Sequence, residues 1–229
     1  MSSRRMRRRY LRHHLVIAVV TCVALFACYA LTASKNPVFR WSMATGYVGL
    51  ALLVATLVLG PLNVVRRRPN PVSTDLRRDL GIWAGLLAIA HFLVGWQVHM
   101  KHRYLYWLRE VEETGGLALR ADLFGFANYT GLLAVLIALL LLALSNDYYL
   151  RRLGARRWKA LQRWNYALVA LVAAHGVAYQ VIEKRIAPFV VAFAVLSLVA
   201  ILAQLIGFRR SRERRADVAA PAIPREDAA

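Results

Sequence analysis

The sequence predicts an all-α integral membrane protein, a bundle of six transmembrane helices with both termini in the cytoplasm. The first observation is composition: 59% of the 229 residues are hydrophobic, and a soluble domain of this size needs more polar surface. The second is the alternation of long apolar runs with short basic clusters. The net charge of +19 is also typical of nucleic-acid-binding proteins. Because the charge is confined to the clusters between apolar runs, a lipid membrane is the favoured partner and nucleic acid is not.

Six apolar runs are close to the roughly 20 residues that a helix needs to cross the hydrocarbon core of a bilayer. They cover residues 15–32, 43–65, 81–100, 127–144, 164–182 and 188–208. The first run follows a basic segment and precedes the small residues of "ALTAS", as a cleaved signal peptide does. A retained helix is favoured, because the run is longer than the apolar part of a typical signal peptide.

The positions of lysine and arginine predict the orientation of the bundle. Of the 31 such residues, 23 lie in the N-terminal arm, the second and fourth connections and the C-terminal tail. The other eight lie on the opposite side. Short cytoplasmic loops carry the excess of lysine and arginine, so both termini are placed in the cytoplasm. The expected organisation is a basic arm (1–14), a membrane domain (15–208) and a basic tail (209–229) whose end is disordered.

Two histidines lie inside apolar runs, where an ionisable side chain is costly and usually has a partner in the bundle interior. His91 lies in "LLAIAHFLVGW" and His175 in "LVAAHGVAYQ". Each is about 15 Å from the cytoplasmic start of its run, at about 1.5 Å per residue. The third and fifth helices are expected to run parallel, which places the two imidazoles at one depth.

Two neutral imidazoles that face each other at one depth are typical of the axial ligands of a haem iron. Small residues flank both His91 and His175 and leave room for a flat macrocycle. The alternative is that the small residues serve helix packing and that each imidazole hydrogen-bonds a neighbouring carbonyl.

The other histidines are expected at the membrane surface. His13 and His14 end the basic arm and add charge near the lipid headgroups. His99 and His102 lie in "VHMKHRYLYW", among the tyrosine and tryptophan residues that mark an interface. Their spacing of three residues is compatible with a shared metal, but solvated interface histidines are the favoured interpretation.

Three segments together resemble the ferric-reductase-like transmembrane family. They are "ATGYVGLALLVATLVLGPLNVV", "RRDLGIWAGLLAIAHFLVGW" and "RRLGARRWKALQRWNYALVALVAAH". The resemblance covers about residues 44–208, and within the family it is strongest to the MsrQ (YedZ) haem-binding membrane subunits. It implies a b-type haem between the third and fifth helices, with His91 and His175 at the positions of the iron ligands. It also implies a bacterial inner-membrane protein that relays electrons from a cytoplasmic donor or a quinol to a partner reductase.

One position departs from the family pattern. Where the family has histidine in a Leu-His-Arg segment, this chain has Gln162 in "LQR". An amide is a poor ligand for haem iron, so one haem is expected and not two. Arg77, Arg78 and Arg163 are candidates for pairing with haem propionates, although a role as positively charged anchors at the cytoplasmic face is the favoured interpretation.

Two further hypotheses remain open. One is a haem-free six-helix protein, a small transporter or an assembly subunit, in which the paired histidines handle protons or a metal. The apolar runs contain no Asp or Glu, which argues against a proton relay. The other is a family member that has lost its haem. In the leading interpretation the chain is an electron-transfer subunit and not a complete enzyme, because it has no recognisable flavin- or nicotinamide-binding motif.

Overall fold

The computed structural model describes residues 10–66, 75–100, 102–111 and 115–219. A π-helical turn over Tyr10–His14 leads into the first α-helix. The α-helices are α1 (Leu15–Leu31), α2 (Pro37–Val65), α3 (Asp75–Gly95), α4 (Leu123–Ala143), α5 (Asp147–Gln162), α6 (Trp164–Ile182) and α7 (Ala187–Ala219). Between α3 and α4, a short 3-10 helix at Arg103–Tyr106 leads into two strands, β1 (Leu108–Val111) and β2 (Gly116–Leu119).

Each predicted apolar run forms a helix, which confirms the prediction of a helical membrane bundle. Among the described residues, five helical spans are long and apolar enough to cross a membrane. They are α2, α3, α4, the span Arg156–Ile182 that contains α6, and the span Ala187–Glu213 of α7. The remaining apolar helix, α1, has 17 residues, which is about 26 Å at 1.5 Å per residue. This is slightly shorter than the hydrocarbon core of about 30 Å, so a sixth crossing stays a prediction.

The helices begin where flanking polar residues satisfy their free N–H groups. Helix α2 begins at Pro37, six residues before the predicted start of its run. The Asn36 side chain accepts hydrogen bonds from the backbone N–H groups of Val38 and Phe39 at 2.9 and 3.3 Å. Asp122 does the same for α4, where its carboxylate accepts from the N–H of Gly125 at 2.7 Å.

Two polar stretches beyond the apolar runs are also helical. Helix α5 joins α4 to α6 and is broken at Gly154, whose φ of 72° lies in the left-handed region that favours glycine. The Trp158 indole donates to the carbonyl of Leu144 at 2.9 Å and fixes α5 against the end of α4. Helix α7 continues to Ala219. Residues 220–229 lie outside the described part of the chain, so the disorder of the tail stays a prediction.

The two strands depart from the predicted all-α class. They pair antiparallel, with Leu108 opposite Leu119 and Val111 opposite Gly116. Gly115 precedes β2 with φ at +63°, again in the left-handed region. The hairpin was missed because strands of four residues are too short for a two-residue hydrophobic period to be recognised.

Small residues lie in the interior of the bundle. Helix α3 packs mainly against α2, and α6 packs mainly against α4. Buried residues of these four helices include Ala44, Ala84, Ala127 and Ala178. Small side chains let helix backbones approach closely in a membrane. The helices that carry His91 and His175 are therefore supported by different neighbours, α2 and α4.

The N-terminal histidines lie against the bundle instead of projecting toward the headgroups as expected. Asp79 on α3 is fully buried, and its two carboxylate oxygens lie 2.8 Å from His13 Nδ1 and 3.4 Å from His14 Nε2. The Trp83 indole donates to His14 Nδ1 at 3.2 Å. These contacts hold the start of the described chain against the first three turns of α3.

Candidate functional site

The structure brings His91 and His175 together, as the sequence predicts. His91 lies on α3 and His175 on α6, and their ring centroids are 6.0 Å apart with nearly perpendicular planes. The two residues are separated by 84 positions in the chain. Their proximity therefore results from the helix arrangement and not from a local motif.

Each imidazole is held through the same ring atom. His91 Nδ1 lies 3.0 Å from the carbonyl oxygen of Ser42 on α2, and His175 Nδ1 lies 2.8 Å from that of Ala127 on α4. A carbonyl oxygen can only accept a hydrogen bond, so each Nδ1 must carry the proton. In a neutral imidazole the other nitrogen, Nε2, then keeps its lone pair, which is the tautomer that binds a metal through Nε2.

A glycine follows each anchoring carbonyl by one helical turn. Gly46 is four residues after Ser42, and Gly131 is four residues after Ala127. A Cβ added to Gly46 would lie 3.0 Å from His91 Cε1, and one added to Gly131 would lie 2.7 Å from His175 Nδ1. Both glycines therefore make the space that the imidazole ring occupies.

A threonine precedes each of these glycines and makes equivalent contacts. Thr45 Oγ1 lies 3.1 Å from the Ser42 carbonyl oxygen, and Thr130 Oγ1 lies 2.9 Å from that of Ala127. The segments "SMATG" and "ANYTG" thus carry the same arrangement of carbonyl, hydroxyl and glycine, and in each the carbonyl and the glycine lie beside an imidazole. These residues were not predicted from the sequence, and the repeated Thr-Gly pair was the available signal.

A cavity of about 190 Å³ adjoins the two imidazoles. Its walls in the bundle interior are mainly apolar and include Leu50, Leu53, Val135, Leu168 and Val172. At the end of the bundle that carries the hairpin, the lining becomes polar. This end, called the hairpin end below, contributes His99, Tyr106, Trp107, Glu183 and Arg185 to the cavity.

His99 is paired and partly buried, which differs from the expected solvated interface position. Its Nε2 lies 2.8 Å from Glu183 Oε1, and its ring stacks on Tyr179. The hydrogen bond from His99 lowers the pKa of Glu183, and the positive charge of Arg185 acts in the same direction. His102 is exposed and stacks on Tyr104 instead.

Gln162 lines a second cavity of about 180 Å³ at the opposite end of the bundle. Arg77 and Arg78 also line it, and their Nε atoms donate to the carbonyls of Thr56 at 3.1 Å and Ser145 at 2.6 Å. Among the described residues that line this cavity there is no histidine. Arg163 is exposed. Of the arginines considered for propionate pairing, Arg77 and Arg78 therefore line the second cavity and not the one beside the paired imidazoles.

The fold and the site together define a helical membrane protein with two imidazoles in its interior, each able to bind a metal through Nε2. The chain belongs to the family described as "Ferric reductase like transmembrane component", whose family model matches residues 45–174. The matched range contains His91 and both Thr-Gly pairs, and it ends one residue before His175. This membership confirms the resemblance seen in the sequence.

Curated relatives in bacteria carry a more specific name. The chain is 28% identical over 170 residues to "Protein-methionine-sulfoxide reductase heme-binding subunit MsrQ" of Yersinia pseudotuberculosis serotype O:1b (strain IP 31758), which covers 74% of this chain and 75% of that protein. A protein of the same name from Yersinia pestis (strain Pestoides F) is also 28% identical over 170 residues, or 74% of each chain.

Proposed function

We propose that this protein is a haem-binding electron-transfer subunit of the membrane, in which His91 and His175 would hold the iron of one b-type haem. The observation that carries the proposal is the pair of imidazoles, each fixed through Nδ1 to a backbone carbonyl and each left with a free Nε2 lone pair. The names of the MsrQ relatives, which are haem-binding subunits, support the same cofactor.

The residues present fit a haem iron. The two rings lie close together, with centroids 6.0 Å apart, and neutral imidazoles are common ligands of haem iron. When bound, the haem supplies reversible one-electron chemistry at its iron. The chain fixes the tautomer and orientation of both imidazoles, and the apolar walls formed by Leu50, Leu168 and Val172 keep water away from them. These are the tasks that a protein performs for an electron-carrying cofactor.

The proposed topology is six crossings of the bacterial inner membrane with both termini in the cytoplasm. The support is the distribution of 23 lysine and arginine residues on one side against eight on the other. In this orientation the hairpin end faces the periplasm. Electrons enter from a cytoplasmic donor or a quinol and leave to a partner reductase, since the relatives are named as subunits of a reductase.

The test is an optical spectrum of the full chain purified in detergent from haem-supplied cells, oxidised and then reduced with dithionite. We expect a sharp reduced α-band of low-spin haem b. His91→Ala and His175→Ala should each abolish it, because removing one axial ligand destroys the low-spin pair. His102→Ala is the matched control, since His102 is exposed, and it should leave the band unchanged. A colourless wild-type protein would refute the haem proposal and favour the haem-free bundle.

The number of haems tests the interpretation of Gln162. We expect about one haem per chain, because the described lining of the second cavity offers an amide where the family pattern has a histidine. A pyridine haemochrome assay against protein concentration measures the ratio. Two haems per chain would contradict this assignment and require a different ligand near Gln162.

A further inference from the structure

Arg185 is a cation at the cavity with an unsatisfied donor. It lies in the short connection between α6 and α7 and lines the same cavity as His91 and His175. Its Nε is buried and has no hydrogen-bond partner. Its Nη1 makes a long contact of 3.4 Å to the hydroxyl of Tyr47.

No carboxylate of the described residues neutralises Arg185 within salt-bridge distance. The nearest acidic residue in sequence, Glu183, is bonded to His99 instead. The arginine side chain is cationic. A buried charged donor left without an acceptor, as the Nε of Arg185 is, costs more than a neutral hydrogen bond contributes. The position therefore favours an anionic partner that enters the cavity.

A second orphan donor lies at the same end of the cavity. The indole Nε1 of Trp107 is buried without a partner, and Trp107 lines the cavity together with Arg185. An indole N–H can only donate. Two buried donors without acceptors, one of them cationic, indicate a ligand group with several acceptor oxygens and a negative charge.

From these contacts we infer that Arg185, assisted by Trp107, binds the propionate carboxylates of the haem and so orients them toward the hairpin end. The inference rests on the proposed function, because the carboxylates belong to the haem held by His91 and His175. Arg77 and Arg78, for which the sequence favoured an anchoring role over propionate pairing, line the other cavity and donate to backbone carbonyls.

The test compares two ligands that differ only in these carboxylates. Haem-free full-length protein in detergent is titrated with ferric protoporphyrin IX and, separately, with its dimethyl ester, and the Soret band reports binding. For the wild type we expect the ester to bind about 10- to 100-fold more weakly, because a charge-assisted hydrogen bond is lost. For Arg185→Gln we expect the two ligands to bind with nearly equal affinity.

Two variants keep the comparison interpretable. Arg109→Gln removes an exposed arginine of β1 and should retain the wild-type ratio of affinities. Arg185→Lys keeps the charge and should give an intermediate ratio, so the inference remains testable if Arg185→Gln does not fold. A ratio near one in the wild type, or an unchanged ratio in both Arg185 variants, would overturn the role of Arg185. If the wild type gives no Soret band with either ligand, the proposed haem function itself has failed.

Discussion

Replacing Gly131 with alanine tests whether the space beside His175 is required for the site. The added Cβ would lie 2.7 Å from His175 Nδ1 and 2.9 Å from Cε1, whereas ordinary contacts begin at 3.4 Å. The ring must therefore move by about 0.7 Å or α4 and α6 must separate by a similar amount. Overpacking of this kind costs about 1–3 kcal/mol. A ring displaced away from α4 also loses its 2.8 Å hydrogen bond to Ala127.

The expected result is a graded series of variants. Gly131→Ala should lower haem affinity about 5- to 150-fold, as that energy range implies, and shift the spectrum from low-spin toward high-spin. Gly46→Ala, at 3.0 Å from His91 Cε1, should have a smaller effect in the same direction. Gly81→Ala is the matched control on α3, because its Cβ would meet only Thr56 Cγ2 at 3.7 Å.

The assay is haem content per chain and the reduced α-band of each purified variant, with thermal unfolding in detergent as a check on folding. Gly81→Ala should be as stable as the wild type or more stable, since alanine is a better helix former than glycine. If Gly131→Ala retains the wild-type spectrum and full haem content, the inferred packing of His175 against α4 is wrong.

Two further predictions concern carboxyl groups that contact histidines other than His91 and His175. The hydrogen bond from His99 lowers the pKa of Glu183 below the ordinary value of 4.5. The ionised carboxylate therefore stabilises the folded state at pH values above 4.5. This stabilisation is lost as the pH falls through the lowered pKa of Glu183. The free energy of unfolding of Glu183→Gln should therefore be about 1 kcal/mol below that of the wild type near neutral pH. In acid the two free energies should become equal. A difference that persists in acid would exclude a role for the ionised Glu183 carboxylate. Asp79→Ala should destabilise the protein by about 1–3 kcal/mol, because it removes a buried carboxyl group that contacts His13 and His14. Thermal unfolding in detergent measures this loss, with Glu213→Ala as the control because Glu213 pairs with Arg210 at an exposed position, and equal stability of the two variants would contradict the anchoring role of Asp79.

The helices themselves were predictable from the sequence. In the hydrocarbon core no water can bond to the backbone, so a long apolar run must satisfy its N–H and C=O groups internally as a helix. All six apolar helices were predictable from this requirement. Their ends were less predictable, because Asn36 and Asp122 extend α2 and α4 through side-chain caps that hydropathy does not measure. The hairpin and α5 were not predicted, because neither is a long apolar segment and hydropathy therefore does not detect them.

The polar surroundings of the cavity were not predictable from the sequence. His99 and Glu183 are 84 residues apart, and Arg185 meets Tyr47 across 138 positions. Each of these residues has an ordinary sequence context near the end of an apolar run. They belong to one site only because the connections between helices bring them to the same end of the bundle.

The sequence by itself determined that His91 and His175 lie inside apolar helices at similar depth, because depth follows from a constant rise per residue. Only the tertiary structure decided that the two rings face each other and that Ser42 and Ala127 hold their Nδ1 atoms. The physical reason is that these helices are apolar on nearly every side, so no polar stripe marks which face turns inward. Rotation about each helix axis is set by close contacts with neighbouring helices, here at Gly46 and Gly131.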